Sequence, residues 1–206
     1  MVDRETVRQG YDELAATYAA QRSPDVRERA IIERFCRSLS PSARVLDAGC
    51  GEGTPVLQQV VDATTLGLDI SREQLRRASE TVPHGAHAQG DITRLPLAES
   101  SVDAVTALHS IIHVPRDRHQ QAIDEFARVL RPGGRLLLSE GPAAWEGKNP
   151  DWLGGGAAMA WHIAGAETTR EQLRAAGFTV TQERRSGDEL ADKESTWVYF
   201  TAEYEG

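Results

Sequence analysis

Val45-Leu46-Asp47-Ala48-Gly49-Cys50-Gly51-Glu52-Gly53 joins an apolar run to a turn with glycine at every second position. Residues 44–48 read as a short buried strand, and a helix is predicted over 53–62. Gly49, Gly51 and Gly53 between them allow backbone angles and a close approach that a side chain forbids. A ligand can therefore lie against bare backbone. Asp69 follows Gly49 by twenty residues and ends a second apolar run, Thr65-Leu66-Gly67-Leu68. A carboxylate there accepts hydrogen bonds from a ribose diol. The dinucleotide fingerprint G-x-G-x-x-G needs a third glycine where this chain has Thr54. Without it a pyrophosphate-facing helix packs less closely on its strand, so a nucleoside without phosphates is the better fit.

Outward from this unit the alternation continues. Strands are predicted at 65–69, 86–89, 102–107, 134–140, 178–184 and 196–202, and helices at 72–81, 117–130 and 169–176. Two helices occupy residues 5–39, broken at Ser23-Pro24, with Val7, Tyr11, Leu14, Ala15 and Tyr18 at helical spacing. Strands alternating with helices predict an α/β fold with a parallel sheet covered on both faces. Ser71-x-x-Gln74 and Thr168-x-x-Glu171 read as capping boxes, and Gly177 as a helix end. Ile123, Phe126, Ala127 and Leu130 form one apolar stripe, the core face of a surface helix. Residues 141–165 read as the one long irregular stretch, and a loop of that length in a compact domain is usually functional or disordered.

The chain has 206 residues and a formal net charge of −8. Its length suits a single domain, 1–206. The acidic surplus opposes phosphate-backbone binding, so nucleic acid is not the expected partner. No apolar run approaches membrane-spanning length, and the first residues lack a secretion signal, which predicts no membrane association and a cytoplasmic protein. Only Lys148 and Lys193 among 23 basic residues are lysines, a skew that speaks of genome composition rather than chemistry. Cys36 and Cys50 are too few for a disulfide framework and read as free thiols.

The motif at Val45 to Gly53 resembles the first motif of the class I S-adenosylmethionine-dependent methyltransferases, in particular the small-molecule, type 11-like group. Gly90-Asp91-Ile92, Leu95-Pro96-Leu97 and Ser101-Val102-Asp103-Ala104-Val105 are similar to its adenine-contact and fourth-strand segments. Phe126 to Leu138, with Pro132-Gly133-Gly134, looks like its helix, turn and fifth strand. The resemblance covers residues 10–185 in the family's order. It implies a Rossmann-like, doubly wound, seven-stranded, mostly parallel sheet with an antiparallel C-terminal edge. It further implies an N-terminal helical lid (1–40), a cofactor-binding core (41–140), an acceptor loop (141–167) and a C-terminal helix with strands (168–206).

Carried over by position, the resemblance puts Asp47 at the methionine ammonium and Gly49 and Gly51 along the methionine and ribose. Asp69 then takes the ribose diol, Ile70 flanks the adenine, and Asp91 and Ile92 meet the adenine edge. Leu108 reaches the methionine portion, and Tyr18 and Arg22 belong to the leading helix that closes over the donor. The implied reaction is methyl transfer from S-adenosylmethionine to a small-molecule acceptor. The donor carries its own activation, so positioning dominates the catalysis and the family has no fixed catalytic residue.

Each histidine is a candidate base for the acceptor. His109, just after strand 102–107, is the best placed; His113 reads as structural, His162 as an acceptor-site residue, and His84, His87 and His119 as solvated. No metal is expected, because His109 and His113 lack the glutamate of an H-E-x-x-H pattern. Trp145, Trp152 and Trp161 concentrate in the 141–167 loop. They either wall an apolar or cationic acceptor or pin the loop to the core. Gly154-Gly155-Gly156 would let that loop move as a lid. A non-catalytic S-adenosylmethionine-binding module and an NAD(P)-dependent oxidoreductase are the alternative readings. The expected state is monomer or homodimer.

Overall fold

Alternating side chains of three central strands build two apolar faces at once. In β2 (Arg44–Ala48), β5 (Val102–Ala107) and β6 (Leu130–Glu140), the residues Leu46, Ala48, Val105, Ala107, Leu136 and Leu138 enter one cluster. Their neighbours Val45, Ala104 and Leu137 enter the other. Such two-sided burial is what parallel strands require. The computed structural model describes residues 4–24, 26–60, 63–190 and 193–206.

The remaining elements are α1 (Arg4–Gln21), β1 (Ser23–Pro24), α2 (Val26–Arg37), α3 (Val56–Gln59), β3 (Thr64–Asp69), α4 (Arg72–Thr81) and β4 (Ala86–Gln89). They continue with α5 (His119–Val129), β7 (Trp145–Trp152), β8 (Ala157–Ile163), α6 (Ala166–Ala175), β9 (Phe178–Leu190) and β10 (Lys193–Tyr204). The main sheet runs β4-β3-β2-β5-β6-β10-β9, with the two-residue β1 added beyond β9. The strands from β4 to β6 are mutually parallel, and β10 lies antiparallel between β6 and β9. This is the doubly wound, mostly parallel sheet that the alternation implied. Its strand order reverses between β2 and β5, and a crevice opens at their carboxyl ends.

The stripe Ile123, Phe126, Ala127 and Leu130 is buried as the spacing predicts. Full burial of a side chain such as Phe126 contributes roughly 1.5–3 kcal/mol. On the opposite face Ile31, Ile32 and Phe35 of α2 pack with Val45, Leu137 and Tyr199.

Several expectations need correction. The helix expected over 53–62 is only Val56–Gln59 among the described residues. Gly53 has a positive φ and the helix begins only after Pro55, and the backbone leaves helical angles again at Val60. Residues 61–62, in the same predicted helix, lie outside the described residues. The 117–130 helix begins at His119 after a 3-10 turn at Arg116–Arg118, and the strand expected from 134 already starts at Leu130. The Thr168 box does not cap its helix, which starts two residues earlier behind Gly165. A side chain at 165 would meet Ala144 N at 2.7 Å, so glycine fixes that corner.

The largest departure is 141–167. It is no irregular loop: β7 and β8 form an antiparallel hairpin closed by Leu153-Gly154-Gly155-Gly156. Leu153, Gly154 and Gly156 have positive φ, and a Cβ on Gly155 would lie 2.2 Å from Leu14 Cδ2. These glycines serve a tight turn and close packing rather than the hinge expected of them. Trp152 is buried with Val7, Leu14, Ala157 and Met159, so the hairpin and α1 share one core. A Cβ on Gly10 would meet Ala158 O at 2.6 Å, and that closeness seats α1 on β8.

Candidate functional site

The crevice between β2 and β5 is a cavity of about 170 Å³, walled on one side by α1. Asp47 projects from β2 opposite Thr106 of β5, the register that brings the Thr106 hydroxyl to its carboxylate at 2.7 Å. Burial pushes Asp47 up to about 7, against the lowering effect of that hydrogen bond. Asp69 ends β3. Its carboxylate accepts from Gly51 N at 2.9 Å and from Ser71 N at 2.8 Å. Burial raises Asp69 to about 6, opposed by these backbone donors. Two carboxylates thus stand in one cleft at high cost, which is the mark of a functional site.

The glycine turn divides its labour. A Cβ on Gly49 would overlap Ser110 Cβ at 2.3 Å, so Gly49 lets the turn pack on the loop after β5. At Gly51 the nearest atom to an added Cβ is Gln74 Oε1, 3.9 Å away, which leaves the backbone bare toward the cavity.

Gln74 is a site residue that the capping-box reading missed. Ser71 Oγ does accept from Gln74 N at 3.1 Å, as a cap should. The reciprocal arm is absent because Asp69 already takes the Ser71 N–H. Neither polar atom of the buried Gln74 amide then has a partner among the described residues, and the residue lines the cavity. Ser110 Oγ is in the same condition. Buried polar groups are rarely left so. The rule S-x-x-Q carried the signal for the cap, and only the competing carboxylate decided where the amide went.

Asp91 follows β4, where its Oδ1 accepts from Thr93 N and Thr93 Oγ1, each at 2.8 Å. Its Oδ2 accepts from Arg4 of α1 at 2.9 Å. Ile70, Ile92 and Leu108 line the same cavity, as do Tyr18 and Arg22 from α1 and its C-terminal end. Asp12 adds a further tie, accepting from Ser71 Oγ at 2.7 Å and Glu73 N at 3.1 Å. All ten residues expected at the donor therefore converge on one cleft.

His109 lines the cavity, and its ring nitrogen Nε2 is engaged by other side chains. Its Nε2 lies 3.0 Å from Glu28 Oε1 and 3.2 Å from the Tyr199 hydroxyl. The ring expected to act as a base is tied into a buried cluster behind the wall. His113 is the imidazole on the α1 side of the cavity. A carbonyl only accepts, so the 2.8 Å contact to Ala160 O puts the proton on His113 Nδ1, and Nε2 accepts from the Tyr11 hydroxyl at 2.9 Å. Burial lowers His113 to about 4, so it is neutral at physiological pH.

The other expectations divide. His84 is exposed and His87 half-buried, but His119 is buried, not solvated, and its Nε2 donates to Val114 O at 2.8 Å. His162 is buried with Nδ1 3.1 Å from Glu146 and does not line the cavity. Nor do Trp145, Trp152 or Trp161. Trp152 and Trp161 pack into the α1–hairpin core, and the aromatic lining comes from Tyr11 and Tyr18 instead. Cys36 and Cys50 are free and buried. Among the described residues no helix is long and apolar enough to cross a membrane, and no three acidic, histidine or cysteine side chains group as metal ligands.

Residues 46–138 match the family model described as a methyltransferase domain. A protein named methyltransferase GfsG from Streptomyces halstedii is 41% identical over 110 residues, covering 50% of this chain and 39% of that protein. The 27-O-demethylrifamycin SV methyltransferase of Amycolatopsis mediterranei is 37% identical over 105 residues, covering 47% of this chain and 38% of that protein. The chain thus spans about two fifths of the length of these curated relatives. The crystal structure of N-methyltransferase NodS from Bradyrhizobium japonicum, in complex with S-adenosylhomocysteine, superposes with a TM-score of 0.68 at 20% identity over 87% of each chain.

Proposed function

We propose that the chain belongs to the class I S-adenosylmethionine-dependent methyltransferases and that it transfers the methyl group of S-adenosylmethionine to a small-molecule acceptor. The observation that carries this reading is the pair of buried carboxylates, Asp47 and Asp69, flanking the bare backbone of Gly51 at the switch point of the sheet.

The residues fit the donor. Asp47, buried and with no cation bonded to it among the described residues, suits the ammonium of the amino-acid arm. Asp69 suits the ribose diol, because Gly51 and Ser71 hold its carboxylate in place. Gly51 leaves room for a sugar, and the unsatisfied Gln74 amide awaits polar partners. Ile70 and Ile92 suit the faces of a purine and Asp91 its edge, with Leu108, Tyr18 and Arg22 around the amino-acid arm. The bound sulfonium supplies an already activated methyl group. The chain's own task is to orient the acceptor and exclude water, for which α1 provides Tyr11 and Tyr18. Tyr11, hydrogen-bonded to neutral His113, orients an acceptor hydroxyl at this wall. His109 is a wall residue in this reading, since Glu28 and Tyr199 engage its ring nitrogen. A hydroxyl acceptor is consistent with the relative that is named for 27-O-demethylrifamycin SV. A cytoplasmic location and a monomer or homodimer complete the proposal, and the net charge of −8 disfavours nucleic acid as the acceptor.

A thermal-shift titration tests the donor assignment. S-adenosylhomocysteine at a hundred times its Kd stabilises the protein by about 2.7 kcal/mol, and NAD(P) gives no shift. Asp69→Ala abolishes the shift. A full shift in that variant, or a shift with NAD(P) alone, refutes the assignment.

A further inference from the structure

At the cavity wall lies a charged cluster of which the donor assignment uses only Arg22. Glu28 of α2 is fully buried, and burying a carboxylate is costly unless strong partners compensate. Arg22 Nη2 donates to Glu28 Oε1 at 2.9 Å, and His109 Nε2 sits 3.0 Å from the same oxygen. Tyr199 closes the group, its hydroxyl 3.2 Å from His109 Nε2. Burial pushes Glu28 up, but the contacts of His109, Arg22 and Tyr199 outweigh it and hold the carboxyl below its ordinary value. Glu28 is therefore a buried anion.

Two features separate this cluster from a simple staple between helix and sheet. A staple of apolar side chains would do that work without desolvating a charge. Further, His109 has φ of 51°, a left-handed backbone uncommon for a residue with a side chain, held by Ser139 Oγ accepting from His109 N at 2.7 Å. Such conformations persist where the surroundings over-determine them, and they concentrate at ligand sites. Arg22 and His109 line the cavity, whereas Glu28 and Tyr199 do not. The guanidinium brings to the cavity wall a permanent charge that complements a carboxylate, and Glu28 fixes where it stands.

We propose that Glu28 is a positioning residue that holds the Arg22 guanidinium at the cavity wall, where it receives the carboxylate of the donor's amino-acid arm. The proposal rests on the donor reading above. Calorimetric titration of the full chain with S-adenosylhomocysteine and with 5′-methylthioadenosine tests it, because the second ligand keeps the nucleoside and lacks the amino acid. The unsubstituted protein binds S-adenosylhomocysteine more tightly than methylthioadenosine. Glu28→Gln weakens S-adenosylhomocysteine about tenfold, the scale of one charge-assisted contact, and leaves methylthioadenosine within about twofold. Tyr199→Phe removes a single hydroxyl from the cluster and produces the same selective loss at about threefold, so the test survives if Glu28→Gln does not fold. In an Arg22→Gln background, Glu28→Gln costs nothing further. Equal weakening of both ligands, or an S-adenosylhomocysteine affinity that is unchanged or raised, overturns the role of Glu28. If the unsubstituted protein binds neither ligand, the donor reading falls and this inference falls with it.

Discussion

Asp47→Asn should make the ligand-free protein more stable at neutral pH while it weakens the donor site. Burial holds Asp47 at about 7 instead of its ordinary 3.8. The folded protein then binds more protons than the unfolded chain between these values. Stability is full below about 4, and it is lost as pH rises toward 7. At about 1.4 kcal/mol per tenfold, the gap from 3.8 to about 7 sets a ceiling of about 4 kcal/mol at pH 8. Asparagine removes the charge and keeps an oxygen for the Thr106 hydroxyl, so the substitution recovers part of this, about 2 kcal/mol. For a chain of this size that raises Tm by about 4–8 °C. Differential scanning calorimetry of both proteins across pH 4–8 reads the effect. The gain should be largest at pH 8 and fade toward pH 4, and S-adenosylhomocysteine affinity should fall by at least about tenfold. A gain independent of pH, or destabilisation at pH 8, refutes the claim that a buried charge is stored there for the ligand.

The two glycines of the turn should separate folding from binding. Gly51→Ala, with φ of 53° and no heavy atom nearer than 3.9 Å to the new methyl, should cost about 1 kcal/mol and a few degrees of Tm, yet lower donor affinity by more than about tenfold. Gly49→Ala, whose methyl would sit 2.3 Å from Ser110 Cβ, should prevent folding or cost several kcal/mol; an equal Tm for the two variants contradicts the division. Trp152→Ala should cost about 3 kcal/mol by chemical denaturation, because the indole fills the core shared by α1 and the hairpin, and an unchanged midpoint would show that the hairpin is not seated there.

Legibility in the sequence followed from how local each constraint is. The strands around Asp47 and Asp69 were readable because a buried parallel strand is an apolar run, and because the turn between strand and helix needs glycine. The hairpin was not readable. Trp145 to Trp152 buries only its last residue fully, so it carries no alternation to detect, and Asn149-Pro150 reads as a loop. The sequence therefore left the tryptophans of that segment open between an acceptor wall and a pin to the core, and the structure gives Trp152 the second role, against Val7, Leu14 and Tyr11 of α1. His109 was placed correctly after β5, but its ring direction depends on Glu28 and Tyr199, 81 and 90 residues away in sequence. Glu28 itself lies in the run Val26-Arg27-Glu28-Arg29, which has the pattern of a solvated helix face. Only the tertiary fold tells a buried anion from an exposed one. His119 was misread for the same reason, since its polar flanks Arg118 and Gln120 gave no sign that the ring turns inward.

The central claim is methyl transfer, and the direct measurement is formation of S-adenosylhomocysteine from S-adenosylmethionine by the purified protein in the presence of pooled small hydroxyl, amine, carboxyl and thiol compounds. The account predicts turnover above the acceptor-free rate with at least one pool, the hydroxyl pool first, and no turnover by Asp69→Ala. Donor binding without turnover in any pool would contradict it and leave a protein that holds S-adenosylmethionine without using it on a small molecule.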